Sequence, residues 1–226
     1  MSEPRERSAG GRVSHLAVYA LLLAALWLWG RELTSGSVGV DSAVAAAPEL
    51  PAALAPLPAS PPVRLDLPVL GVQAPVRGRG LDRDGAPDPP PFDRPGTVGW
   101  WDGGPKPGGA GPALLVGHVD TTTEAAVFHG LSTVRRGDPI RVVRADGGIA
   151  EFTVEEVRVY SRDGFAPERA YGPRVRGRAE LRLLTCGGSY DKGAREYTGN
   201  VVVSAYLTGF TRPTAAVRDA TLLRAV

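Results

Sequence analysis

One side chain in the sequence has strong nucleophilic character: the thiol of Cys186, the only cysteine in 226 residues. It follows an apolar segment, and Gly187 and Gly188 come directly after it. The alternation of Leu181 and Leu183 predicts a strand with one buried face, and the two glycines predict the end of that strand. A lone cysteine is most often a small buried hydrophobic residue, so a function for this thiol depends on its surroundings.

A second reactive side chain, His118, also follows a predicted strand. The buried strand 113–116 leads into the sequence GHVD, which places Asp120 two residues after the imidazole. Asp120 is suited to orient His118, and a turn or capping role explains it equally well. His118 at a glycine-preceded strand end, with Asp120 close behind it, fits a functional site better than a core position.

The composition limits the class of protein. The chain is 43% hydrophobic and has 29 glycines and 21 prolines, which suit a turn-rich β domain of about 150 residues rather than a helical bundle. The formal net charge of +2 gives no basic excess for binding nucleic acid. We expect no cofactor, because no His/Cys/Asp cluster has metal-ligand spacing and no phosphate-binding loop is present.

The N-terminal region predicts a single-pass membrane anchor. Residues 13–30 carry no charged side chain, and as a helix they would span about 27 Å, close to the thickness of a bilayer core. Three arginines lie within residues 1–12, so these residues are predicted to stay in the cytoplasm and the rest of the chain to lie outside the cell membrane. The alternative is a cleaved signal peptide, although the small-x-small sites at 43–47 lie farther from the apolar run than usual. In the oxidising space outside the membrane an unused thiol is a liability, which favours a functional Cys186.

Beyond the anchor, the composition divides the chain into three parts. Residues 31–62 are rich in Ala and Pro and predict an extended linker outside the membrane. Residues 63–210 form the predicted domain, and residues 211–226 form a tail that is either a short helix or disordered. Within the domain, a phase slip near Glu155 predicts a β-bulge, and Pro167 predicts the start of a single helical turn.

Six sequence segments, taken in order, resemble the sortases: GW at 99–100, LLVGHVD at 114–120, AVFHGL at 126–131, RRGDPI at 135–140, LLTCGG at 183–188 and NVVVSA at 200–205. The GHVD and TCGG forms are most similar to the actinobacterial class F (class E/F) sortases. This resemblance implies a mainly β protein with a closed eight-stranded barrel and short helices, preceded by a transmembrane helix. It also implies a cysteine transpeptidase.

The resemblance implies a role for each reactive residue. Cys186 would attack a backbone carbonyl in a Leu-Pro-x-Thr-Gly-like sorting signal of an exported protein and form a thioester. His118 would protonate the departing amine and later deprotonate the amine acceptor, a peptidoglycan precursor or a pilin lysine. Sortases generally place an arginine on the strand after the cysteine, where it holds the substrate carbonyl. That position here holds Asn200, so either Asn200 or Arg195 in the preceding loop is predicted to take this role.

Three more residues are predicted to contact the substrate: Asp120, Trp101 and Thr185. For Trp101 the alternative is packing in the core. Two other functions remain open from the sequence. An L,D-transpeptidase acting on peptidoglycan usually has a histidine and a glycine just before its cysteine, where this chain has Leu184 and Thr185. A catalytically inactive, anchored barrel that binds wall or surface proteins is favoured by the absence of the usual arginine.

Overall fold

The structure is a computed structural model that describes Leu23 and residues 49–212, except residues 84, 162–165, 192 and 194–195. The chain divides into two compact units, Met1–Pro48 and Glu49–Val226. Apart from Leu23, the predicted anchor at 13–30 lies outside the described residues, as does the tail from residue 213 onward. Within the described part, no helix has both the length and the apolar character needed to cross a membrane.

The second unit contains a closed barrel of eight strands, as predicted, in the spatial order β1-β2-β3-β4-β7-β8-β6-β5. Two short 3-10 helices, at Pro68–Leu70 and Leu131–Thr133, and one α-helix, α1 at Pro167–Tyr171, lie between strands. The strands are β1 (Pro62–Leu67), β2 (Val72–Arg79), β3 (Val98–Trp101), β4 (Gly111–Val116), β5 (Pro139–Arg144), β6 (Ile149–Ser161), β7 (Ala179–Asp191) and β8 (Glu196–Thr211).

The core fills the interior of the barrel because alternate residues of each strand point inward. Leu181 and Leu183 of β7 are fully buried in this core, as the sequence alternation predicts. The predicted bulge in β6 is also confirmed, since the pairing with β8 shifts register between Val154 and Glu156. The single helical turn from Pro167 is confirmed as α1.

The parallel pairing of β4 and β7 brings the two reactive segments together. Val116 at the end of β4 pairs with Leu184 of β7, and the next residue, Gly117, donates its N–H to the Leu184 carbonyl at 3.0 Å. In a parallel pair, the residues that follow stay level with each other. The register therefore places His118 level with Cys186 on the neighbouring strand.

The prediction that Gly187 and Gly188 end the strand is wrong, because β7 continues to Asp191. The glycines instead form an irregularity, with a register shift between Gly187 and Tyr190 and a φ of 83° at Gly188. A Cβ on Gly187 would lie 2.4 Å from Val201 Cγ2. Glycine is required here because the hairpin bends and packs too closely to admit a side chain.

The compact unit begins at Glu49, upstream of the boundary that composition suggests at residue 63. Residues 49–61 form no strand or helix, yet they bind the barrel. The Leu54 N–H donates to the Leu207 carbonyl at 2.9 Å, and Arg144, which is 1% exposed, donates to the Pro58 carbonyl at 2.6 Å. Composition could not reveal this docking, because the partner groups lie far away in the sequence.

Candidate active site

Cys186 lies on β7 between β4 and β8, and it is exposed. The inward residues of β7 are the odd-numbered Leu181 and Leu183, so Cys186 lies on the outer face of the barrel. A thiol in this position is open to a substrate while the strand that carries it is fixed by pairing on both sides.

His118 follows β4 and is 8% exposed. Neighbouring chains in a sheet lie about 5 Å apart, so the shared register puts the histidine within reach of the thiol. The ring is held from another direction by the loop between β2 and β3. Its Nε2 lies 2.6 Å from the Pro90 carbonyl oxygen, and its face stacks on Phe92 with a centroid distance of 4.2 Å and an interplanar angle of 20°.

Asn200 lies directly opposite Cys186 in the antiparallel pairing of β7 with β8. Its other neighbour is Tyr160 of β6, and it is half-buried. Side chains directly opposite in an antiparallel pair share one face, so the Asn200 amide is on the same face as the thiol. Arg195, the second candidate for the role of the missing arginine, lies outside the described residues.

Asp120 contacts a residue that the sequence did not single out. Its carboxylate accepts a hydrogen bond from the Tyr197 hydroxyl at the beginning of β8. The Tyr197 ring packs edge-on against Tyr190 at 5.2 Å. The hydrogen bond to Asp120, followed by burial and by the charges of Asp120, Tyr190 and Cys186, raises the pKa of Tyr197 to about 12. This contact joins the loop after His118 to the β7–β8 hairpin.

Tyr171, at the end of α1, is a second tyrosine whose ionisation depends on Cys186. Burial, followed by the charges of Asp82 and Cys186, raises the pKa of Tyr171 to about 12. A charge on Cys186 therefore opposes the ionisation of both Tyr171 and Tyr197. Neither tyrosine follows a strand and a glycine, so the sequence patterns did not single them out. The one available signal was for Tyr171, which ends the helical turn that begins at Pro167.

Two predicted substrate contacts occupy positions that differ from the expectation. Thr185 is 4% exposed, and the alternation of β7 turns it toward the barrel interior with Leu183. Trp101 lies at the end of β3 that is far from His118, since β3 and β4 are antiparallel and Trp100 pairs with Leu115. The level of Trp101 is therefore about 13 Å along the sheet from that of His118.

The same outer face of β7 carries a buried ionic cluster nearer the beginning of the strand. Glu180, which is 0% exposed, accepts hydrogen bonds from the backbone of Arg174 at 3.0 Å and from Arg182 at 2.5 Å. Arg182 also donates to the Gly172 carbonyl at 2.7 Å, and Arg178 joins Glu180 at 2.9 Å. These contacts fasten the segment between α1 and β7 over the strand that carries the thiol.

The arrangement supplies a nucleophile, a proton carrier and a neutral hydrogen-bond donor, which is a set suited to acyl transfer through a thioester. Among the residues that the structure describes, no group of three or more His, Cys, Asp or Glu side chains could hold a metal ion.

Comparison with known proteins gives one family. The family model described as Sortase domain matches residues 65–208, more than half of the chain. No curated protein matches the sequence.

Several solved sortases share the fold. Sortase C1 of the GBS pilus island 1 has a TM-score of 0.51 and 20% identity over 67% of this chain and 66% of that one. The lid mutant of sortase A from Corynebacterium diphtheriae has a TM-score of 0.50 and 19% identity over 67% of this chain and 73% of that one. Sortase C from Streptococcus pneumoniae has a TM-score of 0.50 and 18% identity over 67% of this chain and 68% of that one. In other solved sortases the matched share of the solved chain is as low as 62%. At these identities the likeness shows the fold alone.

Proposed function

The chain belongs to the sortase family of cysteine transpeptidases, and we propose that it cleaves a Leu-Pro-x-Thr-Gly-like sorting signal and transfers the acyl group to an amine. The observation that supports this most strongly is the register of three strands. It puts His118 on one side of Cys186 and Asn200 on the other. Such a set at one level of a rigid sheet can hold a scissile carbonyl between nucleophile and donor.

In the first half of the reaction the Cys186 thiolate attacks the carbonyl carbon of the signal. The carbonyl oxygen becomes an oxyanion, and the amide of Asn200 is positioned to donate a hydrogen bond to it, with Arg195 as the alternative donor. When the peptide C–N bond breaks, the protonated His118 imidazole gives its proton to the departing amine. The acyl group stays on sulfur as a thioester.

In the second half an amine attacks the thioester and His118 takes the proton that the amine loses. The C–S bond then breaks and the thiolate is restored, so the cycle needs no cofactor. We propose a peptidoglycan precursor or a pilin lysine as the acceptor. Exported proteins with a sorting signal are the proposed substrates.

The proposed cellular setting follows from charge and hydropathy. We propose that residues 13–30 anchor the chain in the cell membrane, with residues 1–12 in the cytoplasm and the barrel outside the cell. The substrate of a sortase is an exported protein, so this topology places the enzyme where the substrate is found. The GHVD and TCGG forms support an assignment to the class F group.

The test is intact-mass spectrometry of the full chain incubated with a Leu-Pro-x-Thr-Gly peptide library. We expect an acyl adduct that is released by an added amine, is absent from Cys186→Ala, and forms far more slowly in His118→Ala. Asn200→Ala and Arg195→Ala are compared as a pair, because the variant with the larger loss identifies the oxyanion donor. An exposed ion-pair variant, Arg64→Ala, serves as the control.

A wild-type chain that forms no adduct and whose folded thiol resists iodoacetamide would contradict the transpeptidase. The inactive binding barrel would then be the better description, and it predicts that Cys186→Ala keeps its ligand.

A further inference from the structure

The loop between β2 and β3 contacts His118 in a way that the proposed reaction does not by itself require. A backbone carbonyl, that of Pro90, lies 2.6 Å from Nε2, and the Phe92 ring covers one face of the imidazole. We propose that Pro90 and Phe92 are positioning residues that fix the tautomer and the plane of His118, so that Nδ1 is the nitrogen that exchanges protons with Cys186. This inference rests on the proposed function.

The tautomer follows from the chemistry of the acceptor. A carbonyl oxygen accepts hydrogen bonds and cannot donate one, so Nε2 carries the hydrogen in the contact with Pro90. In the neutral imidazole only Nδ1 then has a lone pair to accept a proton. When the thiol ionises, the S–H bond breaks and an Nδ1–H bond forms. The ring becomes an imidazolium, and its Nε2–H continues to donate to Pro90.

The sequence of the loop makes this carbonyl a rigid acceptor. Residues 89–91 are three consecutive prolines, which fix φ and have no N–H, so this stretch presents acceptors without competing donors. Pro90 itself is buried. The imidazole therefore meets a carbonyl in a stretch of backbone with restricted freedom.

Both ends of the loop are fastened to the barrel. Asp88 forms an ion pair with Arg79 of β2, and its N–H donates to the Gly80 carbonyl at 3.1 Å. At the other end the Val127 N–H donates to the Pro95 carbonyl at 2.8 Å. Because both ends of the loop are held by the barrel, the contacts of the loop with His118 hold the imidazole in a fixed position relative to the barrel.

Phe92 supplies the second restraint. It is 67% exposed, an unusual position for a large apolar ring, and its stacking contact is with His118. Stacking on Phe92 limits tilting of the imidazole out of its plane. The hydrogen bond to Pro90 limits rotation within that plane, because it fixes the direction of Nε2. Together the two contacts leave Nδ1 pointing away from the loop.

The experiment combines a spectroscopic and a kinetic measurement on the full chain. In the wild type labelled with 15N at histidine, the neutral form of His118 is expected to be the tautomer protonated on Nε2. The signals are assigned with the variants His15→Gln and His129→Gln. Phe92→Ala is expected to mix the two tautomers and to slow thioester formation at saturating peptide about tenfold. Phe92→Trp is expected to restore both, and Val69→Ala, which removes another exposed apolar side chain, is expected to change neither.

Two results would overturn the inference. One is a neutral His118 in the wild type whose single ring hydrogen lies on Nδ1, and the other is a faster acylation in Phe92→Ala, which would mean that the loop blocks the site rather than supports the imidazole. The tautomer is measured without turnover. A chain that forms no thioester but shows the Nε2-protonated ring would therefore refute the proposed function and leave the structural assignment standing.

Discussion

Glu180 and Arg182 lie on the same outer face of β7 as Cys186, yet the first two are buried and the third is exposed. The segment after α1 covers the beginning of the strand and supplies donors and acceptors to both charges. Within the part of the chain that the structure describes, the Cys186 side chain stays exposed. The two positions are only a few residues apart on one continuous strand.

The difference shows how this barrel separates stability from reactivity. A buried ion pair is tolerated only when every charged group has partners, because an unpaired charge in the interior is very costly. The beginning of β7 meets that requirement, because Glu180 and Arg182 both have hydrogen-bond partners. The end of β7 can then hold an exposed nucleophile whose position is set by backbone pairing with β4 and β8.

Removal of the thiol is the most direct test of whether reactivity and stability are separate along β7. We expect Cys186→Ala to abolish acylation and to change the free energy of unfolding by no more than about 0.5 kcal/mol, because an exposed side chain contributes little to stability. Urea unfolding, followed by circular dichroism beside the adduct assay, measures both. A destabilisation of several kcal/mol in this variant would show that the two ends of the strand are not separate in function.

The reverse effect is expected at the ionic cluster. Glu180→Gln leaves Arg182 buried without its carboxylate and should lower the free energy of unfolding by about 3–5 kcal/mol. The fraction that stays folded should keep a reactive thiol. Urea midpoints of this variant are compared with those of Glu151→Gln, which removes the carboxylate from an exposed ion pair and should cost about 1 kcal/mol or less. Equal losses in the two variants would contradict the special place of Glu180.

The same carboxylate should give the wild type a pH dependence that the variant lacks. Burial raises the pKa of Glu180, but hydrogen bonds from the Arg174 backbone, Arg182 and the Val175 backbone outweigh burial and hold the pKa below its ordinary value. A lowered folded-state pKa gives stability that is present above the unfolded value of about 4.3 and is lost as the pH falls through the folded value. Urea midpoints measured from pH 6 down to pH 3 should therefore fall more steeply in wild type than in Glu180→Gln. Parallel curves would refute this assignment.

A smaller loss of stability than at Glu180 is expected at the contact between Asp120 and Tyr197, which joins the loop after His118 to the beginning of β8. Tyr197→Phe should cost about 1 kcal/mol of stability, since it removes one hydrogen bond at a half-buried site. Tyr190→Phe keeps that hydrogen bond and serves as the control.

In an alkaline titration Asp120→Asn should lower the pKa of Tyr197 from about 12 toward 10. An unchanged titration would mean that the hydrogen bond does not form.

The sequence predicted the fold well where local patterns are strong. Alternating leucines identified the buried face of β7, and the phase slip identified the bulge of β6. It was wrong at Gly187 and Gly188, because a pair of glycines fits both a strand end and a bulge. Only the contact with Val201 on the next strand decides between the two.

At the candidate site the sequence identified Cys186 and His118 by residue type and by their place after apolar strands. It did not identify Phe92, Pro90 or Tyr197, whose contacts with the site join segments far apart in the chain. Thr185 differs from these residues, because its side chain is buried in the structure. Its nearness to Cys186 along the chain suggested a substrate contact, but neighbouring residues of a strand face opposite sides.

The family and the barrel class could be predicted from the sequence, because they depend on residue types and local periodicity. The same patterns made Cys186 and His118 the candidates for nucleophile and proton carrier. The tertiary structure decided which side chains surround them. The register of β4, β7 and β8 brings His118 and Asn200 to Cys186, and the loop between β2 and β3 supplies the carbonyl that orients the imidazole. Register and loop docking arise from contacts between distant segments, which no local sequence pattern encodes.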